Sequence, residues 1–218
     1  MESNPIEATP TEDTNPFLFP DDEPKATAQE VAQHFVRIWA EAVIRAVERA
    51  HAIRLKDAKD QRNHERNEDW SPTEDDLYAN TRVQWAEDHT LVWSAHQLEV
   101  WRARLAKERG QEPPPDNEVL TRLRNVLEHL VDPDLENWVA TIPEGRDPRR
   151  RWSLRSLPDE QLDLSVLSGG KLFDLVESTT LNAIAMEVVK SVQSELDERE
   201  RNRVEAYLED WDQAHDSE

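Results

Sequence analysis

Apolar residues recur every three or four positions along most of this chain, which is the spacing of helices that each bury one face. From Thr27 the set Val31, Phe35, Ile38, Trp39, Ala42, Ala46 and Ile53 keeps this spacing, and Val36, Val43 and Val47 widen it. So broad a stripe predicts a first helix to about Lys59 that packs on more than one neighbour. Thr27 and Glu30 stand at capping-box spacing at its start. Residues 61–70 are highly polar and read as a loop. Ser71 as cap, Pro72 in the first turn and Glu74 predict the start of a second helix. Leu91, Leu98, Trp101 and Leu105 form one seam of it; Trp85, Val92, Trp93 and Val100 form another. Gly110 and the run Pro113-Pro114-Pro115 predict its end. A third helix follows over about residues 116–131, with Leu120, Leu123, Leu127 and Leu130 on its buried edge and Pro133 as its stop.

Residues 132–170 lose the period and gain Pro and Gly. They read as a long loop with short helical turns or a small hairpin, and loops of this length in a compact domain are commonly functional. A fourth helix is expected from near Gly170 past Leu196, on Phe173, Val176, Leu181, Ile184, Val188 and Val192. After a charged stretch, Val204, Tyr207, Leu208 and Trp211 mark a last short amphipathic piece. Residues 1–26 are rich in Pro, Asp, Glu and Thr and show no period, the composition of a disordered acidic tail. The expected organisation is that tail, a helical domain over residues 27–211, and a disordered C-terminus over 212–218. The expected fold is all-α, a four-helix bundle with a long loop before its last helix.

Composition sharpens this picture. Of the 218 residues, 37% are hydrophobic and 33% charged, so the apolar residues must be concentrated on helix faces. Four Gly leave little material for the tight turns of a β-sandwich, and eight Trp supply large side chains for a core. The absence of Cys removes disulfides, thiolate metal sites and Cys nucleophiles. No apolar run reaches the ~18 residues of a membrane span, and a cytoplasmic protein without membrane contact is expected. The formal charge of −21 argues against broad binding of nucleic acid while leaving room for a local basic site.

Arg124, Asn125 and His129 carry the main candidate chemistry. Four residues separate the Arg from the His, a polar amide follows the Arg, and the set lies near the end of the third helix. In these features the segment resembles the signature of the HEPN superfamily of helical ribonucleases and toxins. That signature allows four to six residues between Arg and His, so Arg45 to His51 and Arg82 to His89, with five and six, also satisfy it, without the amide and without the helix end. The resemblance implies a HEPN-like bundle and metal-independent RNA cleavage of toxin or defence type. It also implies a homodimer that brings two motifs together, and an antitoxin or regulatory protein as a further partner. An imidazole titrates near ~6.5 and can exchange a proton with the ribose 2′-hydroxyl or the leaving 5′-oxygen at neutral pH. The planar guanidinium of Arg124 suits a phosphate, and Asn125 could hold either group. Some HEPN toxins carry a Tyr two positions after the His; here that position is Val131. Positions five apart lie about 140° apart on a straight helix, so Arg124 and His129 share a face only across a kink, a frayed end or a subunit boundary. The bland reading of the same residues is an amphipathic helix with a capping His.

A second candidate is the cluster Arg146, Arg149, Arg150, Arg151 and Arg155, with Trp152 among them. It reads either as an RNA contact, with Trp152 stacking on a base, or as charge pairing with acidic parts of the same chain. His89 and His96 lie seven apart on one helical face, a spacing that suits packing better than metal ligation. No metal or cofactor is expected. The rival function is a non-catalytic helical module for protein–protein interaction, or an inactive HEPN domain that binds RNA or nucleotide.

Overall fold

The computed structural model describes residues 25–143, 152–165 and 171–215. Four α-helices dominate: α1 (Ala28–His64), α2 (Glu74–Glu108), α3 (Glu118–Glu128) and α4 (Ser178–His215). Short strands lie between the last two helices: β1 (Asp134–Glu136), β2 (Val139–Thr141), β3 (Gln161–Asp163), β4 (Lys171–Leu172) and β5 (Val176–Glu177). The expectation of an α-dominated chain therefore holds. The region expected to be a long loop with short helical turns or a small hairpin carries more strand than that, an antiparallel sheet in the order β1-β2-β3 followed by a β4-β5 hairpin. The expected acidic tail, apart from residues 25 and 26, lies outside the described residues.

Local chemistry fixes the helix ends. Thr27 caps α1 and forms a reciprocal box with Glu30. On α2 the box forms at Thr73 and Asp76, two residues after the expected Ser71 cap. Ser71 instead donates its hydroxyl to the Asn63 carbonyl at 2.7 Å, tying the α1–α2 connection together. Helix α1 runs to His64, through part of the polar stretch expected to loop, because Lys56–Asp60 and Asp57–Gln61 side-chain pairs brace its last turns. Gly110 ends α2 at φ +65°, the left-handed conformation that glycine adopts without a Cβ penalty. Asn117 caps α3 by accepting from the Leu120 N–H. Helix α4 begins at Ser178, not near Gly170. It continues unbroken through the expected last piece to His215.

Helix α1 packs most extensively on α2 and also against α4, while α3 lies on α2. Its buried seam is Ala32, Val36, Ala40, Val43, Ala46 and Ala50. That seam is rotated from the expected stripe: Val31 and Ile38 are exposed. Small side chains along one line let a neighbouring helix approach closely, while Phe35 and Trp39 pack at the flanks, Phe35 stacked on Trp101 at 4.3 Å. At the far end the α1–α2 contact turns polar. Arg54 pairs with the buried Asp88, and Asn80 joins Lys56 to Asp60. At the other end Glu195 of α4 accepts from Gln33 of α1 and from Arg109 at the end of α2, binding three helices together.

The small sheet has its own core of Ala140, Leu162 and Leu164, continuous with Leu154, Leu157, Leu172 and the α3 leucines. Its first turn is tight. Asn137 and Trp138 link β1 to β2, both with positive φ, at 50° and 64°. A two-residue turn with two left-handed residues matches strand twist, and its second position usually carries glycine. A Trp there costs about 1–2 kcal/mol of backbone strain.

Candidate functional site

Helix α3 presents the Arg124–His129 segment between two different neighbours. Arg124 points at α2. Its guanidinium pairs with Glu128 one turn on, at 2.5 Å, and its Nη1 donates to Asn125 Oδ1 at 3.0 Å. The same group lies over the Trp93 ring, 5.1 Å from its centroid, a cation–π contact that joins α3 to α2. Arg124 is thus held by three side chains, and Asn125 is one of them.

His129 faces the other way. It is the C-cap residue of α3, with φ −108° and ψ 19°, and its N–H bonds to the Val126 carbonyl as the last turn tightens. The side chain is 64% exposed, and its Nδ1 stands 3.9 Å from Asp132 Oδ2. It opens on a cavity of about 240 Å3 lined by Val126, His129, Asp132, Pro133, Trp152, Ser153 and Leu154. A single water occupies ~30 Å3 of liquid, so this space admits a group of several heavy atoms. The helix end frees His129 from helical geometry, yet Arg124 and His129 still serve opposite neighbours within one copy.

The Arg-rich segment meets the motif through Trp152. That residue is 7% exposed, so it walls the His129 cavity with a buried ring and is not an open plate. Arg155 lies exposed on the short 3-10 helix Ser153–Ser156, which packs on α3. A neighbouring carbonyl there, that of Ser156, accepts from Arg122 at 3.5 Å. Arg146, Arg149, Arg150 and Arg151 lie outside the described residues.

One titratable group on α2, His96, joins the Arg124 side and was not singled out from sequence as a partner of the motif. Burial lowers the His96 imidazole from its ordinary value, and the nearby Arg124 charge adds to the effect. Its Nδ1 is buried with no hydrogen-bond partner. Glu99, one turn further along α2, is pushed up to about 7 by burial, against the opposing hydrogen bond from the Asn117 backbone. The signal in the sequence was the spacing of Trp93 and His96, three apart on one helical face. It pointed to a shared face, and the identity of the helix that covers that face was missing.

Among the described residues, no three His, Asp or Glu side chains are placed to hold a metal ion. No described helix is long and apolar enough to cross a membrane. No protein-family model matches the chain, and neither a curated protein nor a solved structure is similar to it.

Proposed function

We propose that this chain is a HEPN-like endoribonuclease of toxin or defence type that cleaves RNA without a metal, with His129 as its proton-transfer group. The observation that supports the reading is the end of α3. There a solvent-facing imidazole opens on a cavity whose walls include Trp152, from the Arg-rich segment. In the proposed reaction the ribose 2′-oxygen attacks the adjacent phosphorus and loses its proton to a base. The bond from phosphorus to the 5′-oxygen breaks, and that oxygen takes a proton from an acid. The products are a 2′,3′-cyclic phosphate and a 5′-hydroxyl, and atoms and charge balance without a cofactor. His129 of one copy supplies one proton transfer and His129 of a second copy the other, in a homodimer that brings two α3 ends together. Arg124 acts first as a positioning residue, bracing α3 on α2 through Trp93 and Glu128.

The test is cleavage of a mixed RNA in EDTA by the wild type, His129→Ala and Arg124→Lys. Loss of a positioned acid or base costs about 10²- to 10⁴-fold. His129→Ala should lose activity by that amount with an unchanged circular dichroism spectrum. Arg124→Lys keeps the charge but not the planar contact with Trp93, and a smaller loss is expected. Equal cleavage by all three proteins would sink the assignment of the site.

A second reading, a helical protein–protein interaction module, is favoured by α4. Val204, Tyr207, Leu208 and Trp211 are all about half exposed or more, at the spacing of one helical face. Absence of any cleavage by the wild type, together with association lost in Tyr207→Glu, would support that reading.

A further inference from the structure

A cleft of about 610 Å3 lies away from the His129 cavity, lined by Tyr78, Thr81, Arg82, Trp85, Trp138, Leu164 and Ser165. Trp138 is 69% exposed and Tyr78 is 60% exposed, while Trp85 is half-buried, stacked on His89 and edge-on to Phe173. The Trp138 backbone is pinned, since its carbonyl accepts from the Leu164 N–H at 2.7 Å. Its side chain nevertheless stands in solvent, on a turn whose left-handed φ disfavours any residue with a Cβ. Neither the exposed indole nor the strained turn helps the chain fold. Such a combination points to a task outside the fold.

We propose that this cleft is a subsite for one unpaired nucleotide of single-stranded RNA, with the base against Trp138 and the aromatic wall, and the phosphate on Arg82. Charge decides between a nucleotide and an acidic or neutral apolar partner. Among the described residues, none that lines the cleft is a carboxylate, although the chain carries 47 Asp and Glu against 26 Lys and Arg. Arg82 is exposed and forms no ion pair with a described residue. Stacked aromatic side chains beside a cation are the means by which proteins hold single strands without reading their sequence. The placement also fits a substrate path. Trp138 and Leu164 lie at one end of the β1-β2-β3 sheet, and β1 enters from Pro133, at the His129 cavity, at the other. Three residues of strand span about 10 Å, so the two cavities lie within a few nucleotides of each other. The inference rests on the ribonuclease reading for its choice of RNA as the occupant.

The experiment measures fluorescence anisotropy of a labelled, unstructured RNA with the full chain in the His129→Ala background, which separates binding from cleavage. Trp138→Ala should weaken binding about tenfold or more, the loss expected for one stacked base. Trp138→Phe should restore most of it. Arg82→Ala should weaken binding and flatten the salt dependence by about 0.7 in the log–log slope, the value for one phosphate on a single strand. An abasic oligomer of equal length should bind weakly and not respond to Trp138→Ala. Unchanged RNA affinity in both Trp138→Ala and Arg82→Ala would overturn the subsite, as would no RNA binding by the parent. Binding of an apolar dye that is lost in Trp138→Ala, without RNA binding, would assign the cleft to an apolar partner and overturn it too. Failure of the ribonuclease reading looks different: Trp138-dependent RNA binding, with no cleavage by the wild type.

Discussion

The long helices and the segment between Asn117 and Glu177 are built by different rules. Helices α1, α2 and α4 are held by repetition. Two of them open with capping boxes, they share a seam of Ala, Val and Leu, and ion pairs close both ends, Arg54 with the buried Asp88 at one and the part-buried Arg109–Glu195 pair at the other. The α3–sheet segment holds its core through leucines of α3, the Ser153–Ser156 turn, β3 and β4, and accepts left-handed residues at Asn137, Trp138, Asp159, Glu160, Phe173 and Asp174. Both candidate cavities open on this second region. The contrast teaches that repetition yields a rigid frame, while the irregular segment mounted on it can present a His and a Trp in conformations that no regular element offers.

The contrast can be broken or sharpened by substitution. The largest effect is expected at Arg54, because Arg54→Ala leaves the Asp88 carboxyl buried without its partner. Breaking a buried pair from one side costs about 3–5 kcal/mol, read as a fall in the denaturation midpoint. Replacing both residues by Met and Leu should recover most of it. Next come the matched core truncations Leu91→Ala and Leu162→Ala, each expected to cost about 2–5 kcal/mol. Leu91→Ala should lower protection from hydrogen exchange in all the long helices. Leu162→Ala should open the sheet segment first and spare α1. Equal loss across the whole chain in both variants would show that the two regions unfold as one.

A smaller effect is expected at Glu99. The folded protein keeps a proton on this carboxyl up to about pH 7, whereas the unfolded chain releases it near 4.5. Stability from this group is therefore full below about pH 4.5 and is lost as pH rises to about 7. Glu99→Gln removes that loss. It should be more stable than the wild type above pH 7, by about 1 kcal/mol after solvent screening of a half-exposed group, and equal to it near pH 4. Thermal melts across that range give the sign directly. An effect of similar size, about 1 kcal/mol and independent of pH above the carboxylate range, is expected at Thr73→Ala for a lost cap and its box with Asp76.

The limits of legibility follow the same division. The cap at Thr27, the stop at Gly110 and the buried leucines of α3 could be read because each depends on neighbours within four residues. The rotation of the α1 seam could not, because Ala is compatible with both a buried and an exposed face. Its burial was decided by the close approach of α2. In the same way the sequence placed Arg124 and His129 near a helix end but was silent on their neighbours. Trp93 and His96 come to Arg124 from about thirty residues earlier, and Trp152 comes to His129 from more than twenty residues later.

By itself the sequence determined that the chain is mostly helical, where α1 begins and, within two residues, where α2 begins, and that a short Arg–Asn–His segment lies at the end of α3. Helix period and capping are local properties, written in residues three and four apart. Tertiary structure decided that part of the expected loop is a sheet, that α4 is continuous, and that the two ends of the motif turn to different partners. It also placed Trp138 and Arg82 in one cleft. Those outcomes depend on strand pairing and helix contact between residues far apart in the chain, and no local pattern encodes which distant surface will be there to meet them.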